Sequence, residues 1–373
     1  MRLSSTLSWL VDAASETPGA DRFLAKLGAL LIDDGAPLVG GALTLALPHP
    51  LIARRTWLWR AGSGEVIEAL AFLGFAGAEP ANSPSEAGRR WLAGLAAGTV
   101  HEDTVGPRSD GPALGWIGPR PFTPDEADRL REAARFATAP LATLTARATL
   151  TAALEAYLGR RSAARVMAAP LRRDIGEIIE AALLYADLRG FTALSESHAP
   201  SAVIAALDAW FDRIAGSVHA FGGEVLKFIG DGLLAIFPVA GGSRRDACAA
   251  ALRAVTAARA GMARLDEARR QQGLAPLPFG VALHLGEMLW GNIGAADRLD
   301  FTAIGPAVDT ARRLRAMAAR KGTRVLLSVD VLEHAGARPA VLQGLSIHKM
   351  PGAASPRMAA LRSLAPLHAA FDE

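Results

Sequence analysis

Residues 222–237, Gly-Gly-Glu-Val-Leu-Lys-Phe-Ile-Gly-Asp-Gly-Leu-Leu-Ala-Ile-Phe, constrain the fold more than any other stretch. Two apolar runs, Val225 to Ile229 and Leu233 to Phe237, are joined by Gly230-Asp231-Gly232. Branched and aromatic residues on either side of an Asp-Gly pair spell a β-hairpin, because a tight turn needs backbone with positive φ. Taken alone, Asp231 reads as a turn former and Lys227, inside the first run, as a charge that guards an edge strand. Lysine is scarce here: Lys26, Lys227, Lys321 and Lys349 are the four among 40 basic residues. Where arginine is the default cation, a lysine in mid-strand points to a need for a compact point charge.

A second constraint lies upstream. Glu177 to Asp187 is an apolar strand ending in a carboxylate, and it runs straight into Leu188-Arg189-Gly190-Phe191-Thr192. An Asp in that position can be a simple cap or loop residue. If this strand and the hairpin are neighbours, however, Asp187 and Asp231 lie side by side. Two such carboxylates suit hard divalent cations, and the backbone N–H groups of residues 188–192 suit a phosphate. That combination points to two-metal phosphoryl or nucleotidyl transfer.

The rest of the chain bounds the alternatives. Its 373 residues favour two domains, and 51% hydrophobic against 21% charged residues gives each a core to bury. A net charge of +3 without any basic run interleaved with aromatics argues against nucleic-acid binding. The single Cys248 sits in an Ala-rich helical stretch and reads as a small buried residue. The eight histidines show no metal-ligand spacing, and no Walker-type phosphate loop is present. Met1 to Glu16 makes a poor signal peptide, and the apolar run Ala36 to Leu47 is too short to span a bilayer, so a soluble cytoplasmic protein is expected.

Read in order, residues 1–35 predict two helices and Gly35 a stop; Ala42–Leu47 and Arg55–Arg60 predict strands, the second with Trp57 and Trp59 on one face. Five of seven tryptophans precede residue 120, which suits ordinary core packing or an aromatic-lined ligand pocket. Thr123-Pro124-Asp125-Glu126 is a helix start with a capping box, Pro140 interrupts that helix, and Leu141–Leu158 carries Leu150, Leu154 and Leu158 on one stripe. Arg160–Arg173 reads as a basic junction. Thereafter the order is βαββαβ: strand 177–187, helix 200–221, hairpin 225–237, helix 244–272, strand 279–285. Asp300-Phe301-Thr302, helix 307–320 and strand 323–328 follow. This order predicts an α+β sandwich with helices on one face of the sheet.

Three segments together carry a resemblance: Ala186-Asp187-Leu188-Arg189-Gly190-Phe191-Thr192; Gly223-Glu224-Val225-Leu226-Lys227-Phe228-Ile229-Gly230-Asp231-Gly232; and Asp300-Phe301-Thr302-Ala303-Ile304-Gly305-Pro306-Ala307-Val308. In order and spacing they resemble the class III adenylate/guanylate cyclases. The resemblance implies a ferredoxin-like catalytic domain at 175–373. The preceding part resembles a GAF-like regulatory domain at 1–122 and a helical linker at 123–174, with an unknown small-molecule or protein signal. It also implies Mg²⁺ or Mn²⁺, two ions per site, held by Asp187, Asp231 and the Leu188 carbonyl. Phosphate oxygens would meet the backbone of Leu188, Gly190, Phe191 and Thr192. Lys227 and Thr302 would read the base, a pair that favours ATP over GTP, and Arg313 would serve the transition state. Asp309 stands where the family pattern has Asn, and a carboxylate cannot donate to the ribose; it can instead pair with Arg313 one turn on. The implied protein is a homodimeric adenylate cyclase making cyclic AMP and pyrophosphate. A guanylate cyclase and a weakened cyclase-fold signalling or binding module are the alternatives.

Overall fold

A computed structural model describes residues 3–46, 52–72, 86–107, 111–168, 170, 172–173, 176–239, 241, 243–320, 325–336, 346–349 and 357–361. The chain divides into two compact units, 1–157 and 158–373.

The first unit runs α1 (Ser5–Asp12), α2 (Ala20–Asp33), β1 (Gly40–Ala46), β2 (Ile52–Arg60), β3 (Val66–Phe72), α3 (Glu86–Ala93), β4 (His101–Thr104), β5 (Ala113–Ile117), α4 (Pro124–Phe136) and α5 (Thr138–Leu158). Its strands form one antiparallel sheet in the order β3-β2-β1-β5-β4. Strand alternation sends Leu43, Leu45, Trp59 and Trp116 to a core shared with α1, α2, α4 and α5. The intervening Ala42 and Leu58 pack under Leu92 of α3 on the other face. Trp57 lies on the Trp59 face, as period two requires. Trp59 and Trp116 meet edge to face at 6.4 Å, an arrangement of core packing. Thr123 and Glu126 form the expected reciprocal capping box. The helix break falls at Ala137, and Pro140 sits in the first turn of α5, where its missing N–H costs nothing.

The second unit runs α6 (Arg160–Ala168), β6 (Gly176–Leu188), α7 (Phe191–Ser197), α8 (Pro200–Ala220), β7 (Glu224–Ile229), β8 (Gly232–Pro238), α9 (Arg244–Gln271), β9 (Phe279–Gly294), β10 (Leu299–Ile304), α10 (Pro306–Arg320), β11 (Val325–Ser328), α11 (Val329–His334), β12 (Ser346–Lys349) and β13 (Arg357–Leu361). The sheet order is β12-β13-β11-β9-β6-β8-β7, with β10 paired to β9. Its centre, β9-β6-β8-β7, is antiparallel throughout and has the strand order of a βαββαβ ferredoxin-like unit.

Two expectations are corrected, the helices on one sheet face and the end of β9, and the junction gains detail. Helices cover both faces of the sheet. Ala182, Leu184, Ala186 and Leu188 of β6 pack against α8 and α9, whereas Ala181, Leu183 and Tyr185 pack against α10. The basic junction contains α6, whose first amides, at Arg161 and Ser162, donate to the buried Glu224 at 3.1 and 3.3 Å. That cap comes from a residue more than sixty positions away and is invisible to local sequence reading. Finally, β9 continues through Gly286 and Gly291 to Gly294. Gly286 is small because α10 crosses there: a Cβ would come within 2.9 Å of the Ala307 Cβ. Cys248 is buried, which pushes its thiol up to about 12. Among the described residues, no helix is long and apolar enough to cross a membrane.

Candidate active site

The apolar alternation of β6 fixes where Asp187 goes. With Ala186 and Leu188 buried toward α8 and α9, Asp187 falls on the α10 face. It pairs across the β6–β8 ladder with Gly232, the residue after Asp231. The positive φ in the hairpin turn belongs to Gly230, at 60°, so the turn is Gly230-Asp231 and Gly232 already pairs with Ile229. The two carboxylate-bearing residues therefore come to one end of adjacent strands. The Leu188 N–H donates to the Asp231 carbonyl at 2.9 Å, and the Arg189 N–H to the Pro278 carbonyl at 2.7 Å. This corrects one expectation: the Leu188 amide is committed to the hairpin turn and does not face a phosphate. Gly190, at φ 73°, caps α7, and the amides of Phe191 and Thr192 open that helix without partners inside it.

Asp187 is only 4% exposed. Burial pushes its carboxyl above the usual range, the Arg189 and Arg315 guanidiniums oppose that, and Asp231 adds to it. Arg189 Nε stands 3.8 Å from Oδ1, and Arg315 Nε, from α10, 3.3 Å from Oδ2. The Arg315 guanidinium also lies over the Tyr185 ring at 5.4 Å. Oδ1 of Asp187 is buried without a hydrogen-bond partner. A buried anionic oxygen left that way fits a site that accepts a cation. Among the described residues no three His, Cys, Asp or Glu side chains gather to hold a metal. A divalent ion at Asp187 and Asp231 would therefore draw its remaining oxygens from backbone carbonyl and substrate phosphate, as Mg²⁺ does in nucleotide sites.

Lys227 sits beside a β-bulge: Val225 pairs with Ala235 and Lys227 with Leu234, leaving Leu226 as the extra residue. Bulges re-aim side chains. Here the Lys227 ammonium donates to the Asp300 carboxylate on β10. Thr302 is two residues along the same strand and so on the same face. The ion pair thus brings Lys227 to the β10 face that carries Thr302. Asp300 lay inside a motif but had no assigned part, and its signal was the period-two spacing to Thr302.

On α10, Asp309 accepts from Arg312 at 2.6 Å, one residue short of the Arg313 partner expected from i, i+4 spacing. Arg313 is half-buried. Arg315 is two positions further along the helix, about 200° around the axis. Since Arg315 faces Asp187 of its own chain, Arg313 is carried by the far side of α10. Arg315 escaped the sequence reading, although its spacing of four from the buried Ala311 places it beside the apolar stripe.

Residues 175–343 match the adenylate and guanylate cyclase catalytic domain family. Adenylate cyclase 1 of Rhizobium meliloti (strain 1021) is 33% identical over 156 residues, 41% of this chain and 23% of that protein. An adenylate cyclase of Anabaena cylindrica is 27% identical over 156 residues, 41% of this chain and 30% of that protein. The chain thus spans less than a third of either relative. The crystal structure of an adenylyl cyclase from P. aeruginosa is 25% identical, covers 51% of this chain and 97% of its own, and superposes with a TM-score of 0.43.

Proposed function

We propose, from the match of residues 175–343 to the adenylate and guanylate cyclase catalytic domain family, that the chain converts ATP to 3′,5′-cyclic AMP and pyrophosphate. The observation that carries this reading is the placement of Asp187 beside the Asp231 turn, with Oδ1 of Asp187 buried and without a hydrogen-bond partner. Two Mg²⁺ or Mn²⁺ ions held by Asp187, Asp231 and the Leu188 carbonyl would acidify the ribose 3′-hydroxyl and offset charge on the leaving phosphates. The chain's own groups do the rest. Amides at Gly190, Phe191 and Thr192 bind phosphate oxygens at the start of α7. Lys227 donates to adenine N1 and Thr302 accepts from the exocyclic amine. Arg313 stabilises charge as the hydroxyl attacks the α-phosphorus and pyrophosphate departs.

The back-to-back placement of Arg313 and Arg315 supports a site shared between two copies of the chain. Arg313 points away from its own Asp187 and serves the partner's. Helix α5 leaves Leu150 exposed, with Leu154 and Leu158 half-buried, a stripe suited to pairing two copies. The first unit acts as a GAF-like regulatory domain. A cavity of about 490 Å³ beside Trp57, walled by Arg55, Glu68, Arg147 and Glu155, is its candidate signal site. One observation favours a weakened catalyst: Asp309 stands where an amide donor is expected, and its carboxylate is tied to Arg312.

The test is an assay of purified chain with ATP or GTP, with Mn²⁺ or Mg²⁺, followed by mixing of variants. Asp187→Ala alone is expected to be inactive and Arg313→Ala nearly so. A subunit-exchanging equal mixture regains about a quarter of wild-type sites, because half the dimers carry one intact site. A mixture that stays inactive while exchange is demonstrated refutes the shared site; equal ATP and GTP turnover refutes the base assignment.

A further inference from the structure

We propose that Arg315 is a positioning residue for Asp187 and a built-in competitor of the metal. The inference rests on the assignment of Asp187 as a metal ligand.

Asp187 ends a buried strand on the α10 face, and its side chain is nearly sealed from water. An uncompensated carboxylate in such a place is costly, so the fold must supply a counter-charge before any ion arrives. Arg315 supplies it. Its Nε is 3.3 Å from Oδ2, and its guanidinium rests on Tyr185, two residues back on the same strand face. Ring and carboxylate together hold the guanidinium in place, and its charge draws Oδ2 toward α10. Oδ2 is ion-paired with Arg315, while Oδ1, 3.8 Å from Arg189 Nε, is a buried oxygen without a hydrogen-bond partner. Asp187 therefore meets an incoming cation through a chosen oxygen.

The same arrangement weakens binding of that cation. A permanent unit charge beside the ligand repels a dication, and burial strengthens the repulsion relative to water. Arginine keeps its charge at any working pH, so the opposition is constant. Asp187 thus trades metal affinity for a defined carboxylate orientation in the metal-free protein.

The experiment measures Mn²⁺ binding to the full chain without nucleotide, by the electron paramagnetic resonance signal of free Mn²⁺ and by calorimetry. Arg315→Met keeps apolar bulk against Tyr185, and Arg315→Gln keeps a hydrogen-bonding head; both remove the charge. Each is expected to tighten Mn²⁺ binding about tenfold. Arg315→Lys, which keeps the charge, stays close to wild type. Unchanged or weaker binding in both neutral variants, or an equal shift in the lysine variant, overturns the inference. Asp187→Asn is the control for the underlying reading. If it binds Mn²⁺ as the wild type does, the metal assignment itself fails. If it abolishes binding while the neutral Arg315 variants leave it unchanged, only the part given to Arg315 fails. Circular dichroism confirms folding, and because two neutral variants are used, collapse of one leaves the other to decide.

Discussion

Replacing Asp300 by Asn separates stability from base reading. The Lys227–Asp300 pair joins side chains 42% and 50% exposed. An ion pair that wet contributes about 0–1 kcal/mol to stability, because high dielectric weakens it and two long side chains lose freedom. In a chain of this size that corresponds to a change in Tm of less than about 4 °C. Catalysis has more to lose. Lysine carries about 2 kcal/mol of rotamer entropy, and Asp300 holds the ammonium beside the Thr302 face before substrate arrives. Without the anchor, about 1–2 kcal/mol of that ordering cost falls on ATP binding, which is roughly a 5- to 30-fold loss in kcat/KM. GTP, whose guanine N1 carries a hydrogen and cannot accept from Lys227, loses less. The assay is initial rates with ATP and GTP at saturating Mn²⁺, alongside thermal unfolding, and Asp300→Glu should recover part of the ATP rate. An unchanged ATP/GTP ratio of kcat/KM, or a rate loss that merely follows a large drop in Tm, would refute the reasoning.

Lys227→Glu with Thr302→Gly is expected to shift preference from ATP toward GTP, each lost hydrogen bond costing about 1–3 kcal/mol; the ratio of kcat/KM values for the two nucleotides checks it. Asp309→Asn should raise kcat, read from saturation curves in ATP, and a fall would show that the carboxylate serves another purpose. Glu126 carries a pH prediction. Two hydrogen bonds from Arg120 and then the Thr123 N–H hold its carboxyl down at about 2, well below its ordinary 4.5. A depressed acid stabilises the fold fully above its unfolded value and loses that contribution as pH falls through the folded one. The thermal stability of the first unit should therefore fall between about pH 4.5 and 2, and Glu126→Gln should flatten that dependence.

What the sequence disclosed follows the range of the interactions involved. The hairpin, the strand ending in Asp187, and the helices at α8, α9 and α10 were legible because period and turn chemistry are local. The Asp187–Asp231 neighbourhood was legible only conditionally, since it required the β6–β8 pairing that the ladder supplies. Long-range features stayed hidden. The cap of α6 is the distant Glu224. The strand through Gly286 survives because α10 needs that space. The Leu188 amide goes to Asp231 through a loop contact that no periodicity encodes. The covering of the second sheet face by α10 was missed because an amphipathic helix announces that it has a partner but not which face it takes.

Helix α10 also bears on the part proposed for Asp309. A carboxylate there adds negative charge where a triphosphate would lie and removes an amide donor. Arg312, one turn on, pairs with it at 2.6 Å, and the pair is 69% and 50% exposed, so water screens what charge remains. Arg312 thus cancels the charge of Asp309 but cannot restore the missing donor. The change Asp309→Asn would restore the donor and also release Arg312 as an unopposed cation near the phosphates. Both effects favour the polyanion, so the rise expected for Asp309→Asn has two sources. Arg312→Ala separates them. Made alone, it leaves the Asp309 carboxylate bare and should raise KM for ATP. Combined with Asp309→Asn, it removes only the freed cation, so any gain in kcat that survives belongs to the amide.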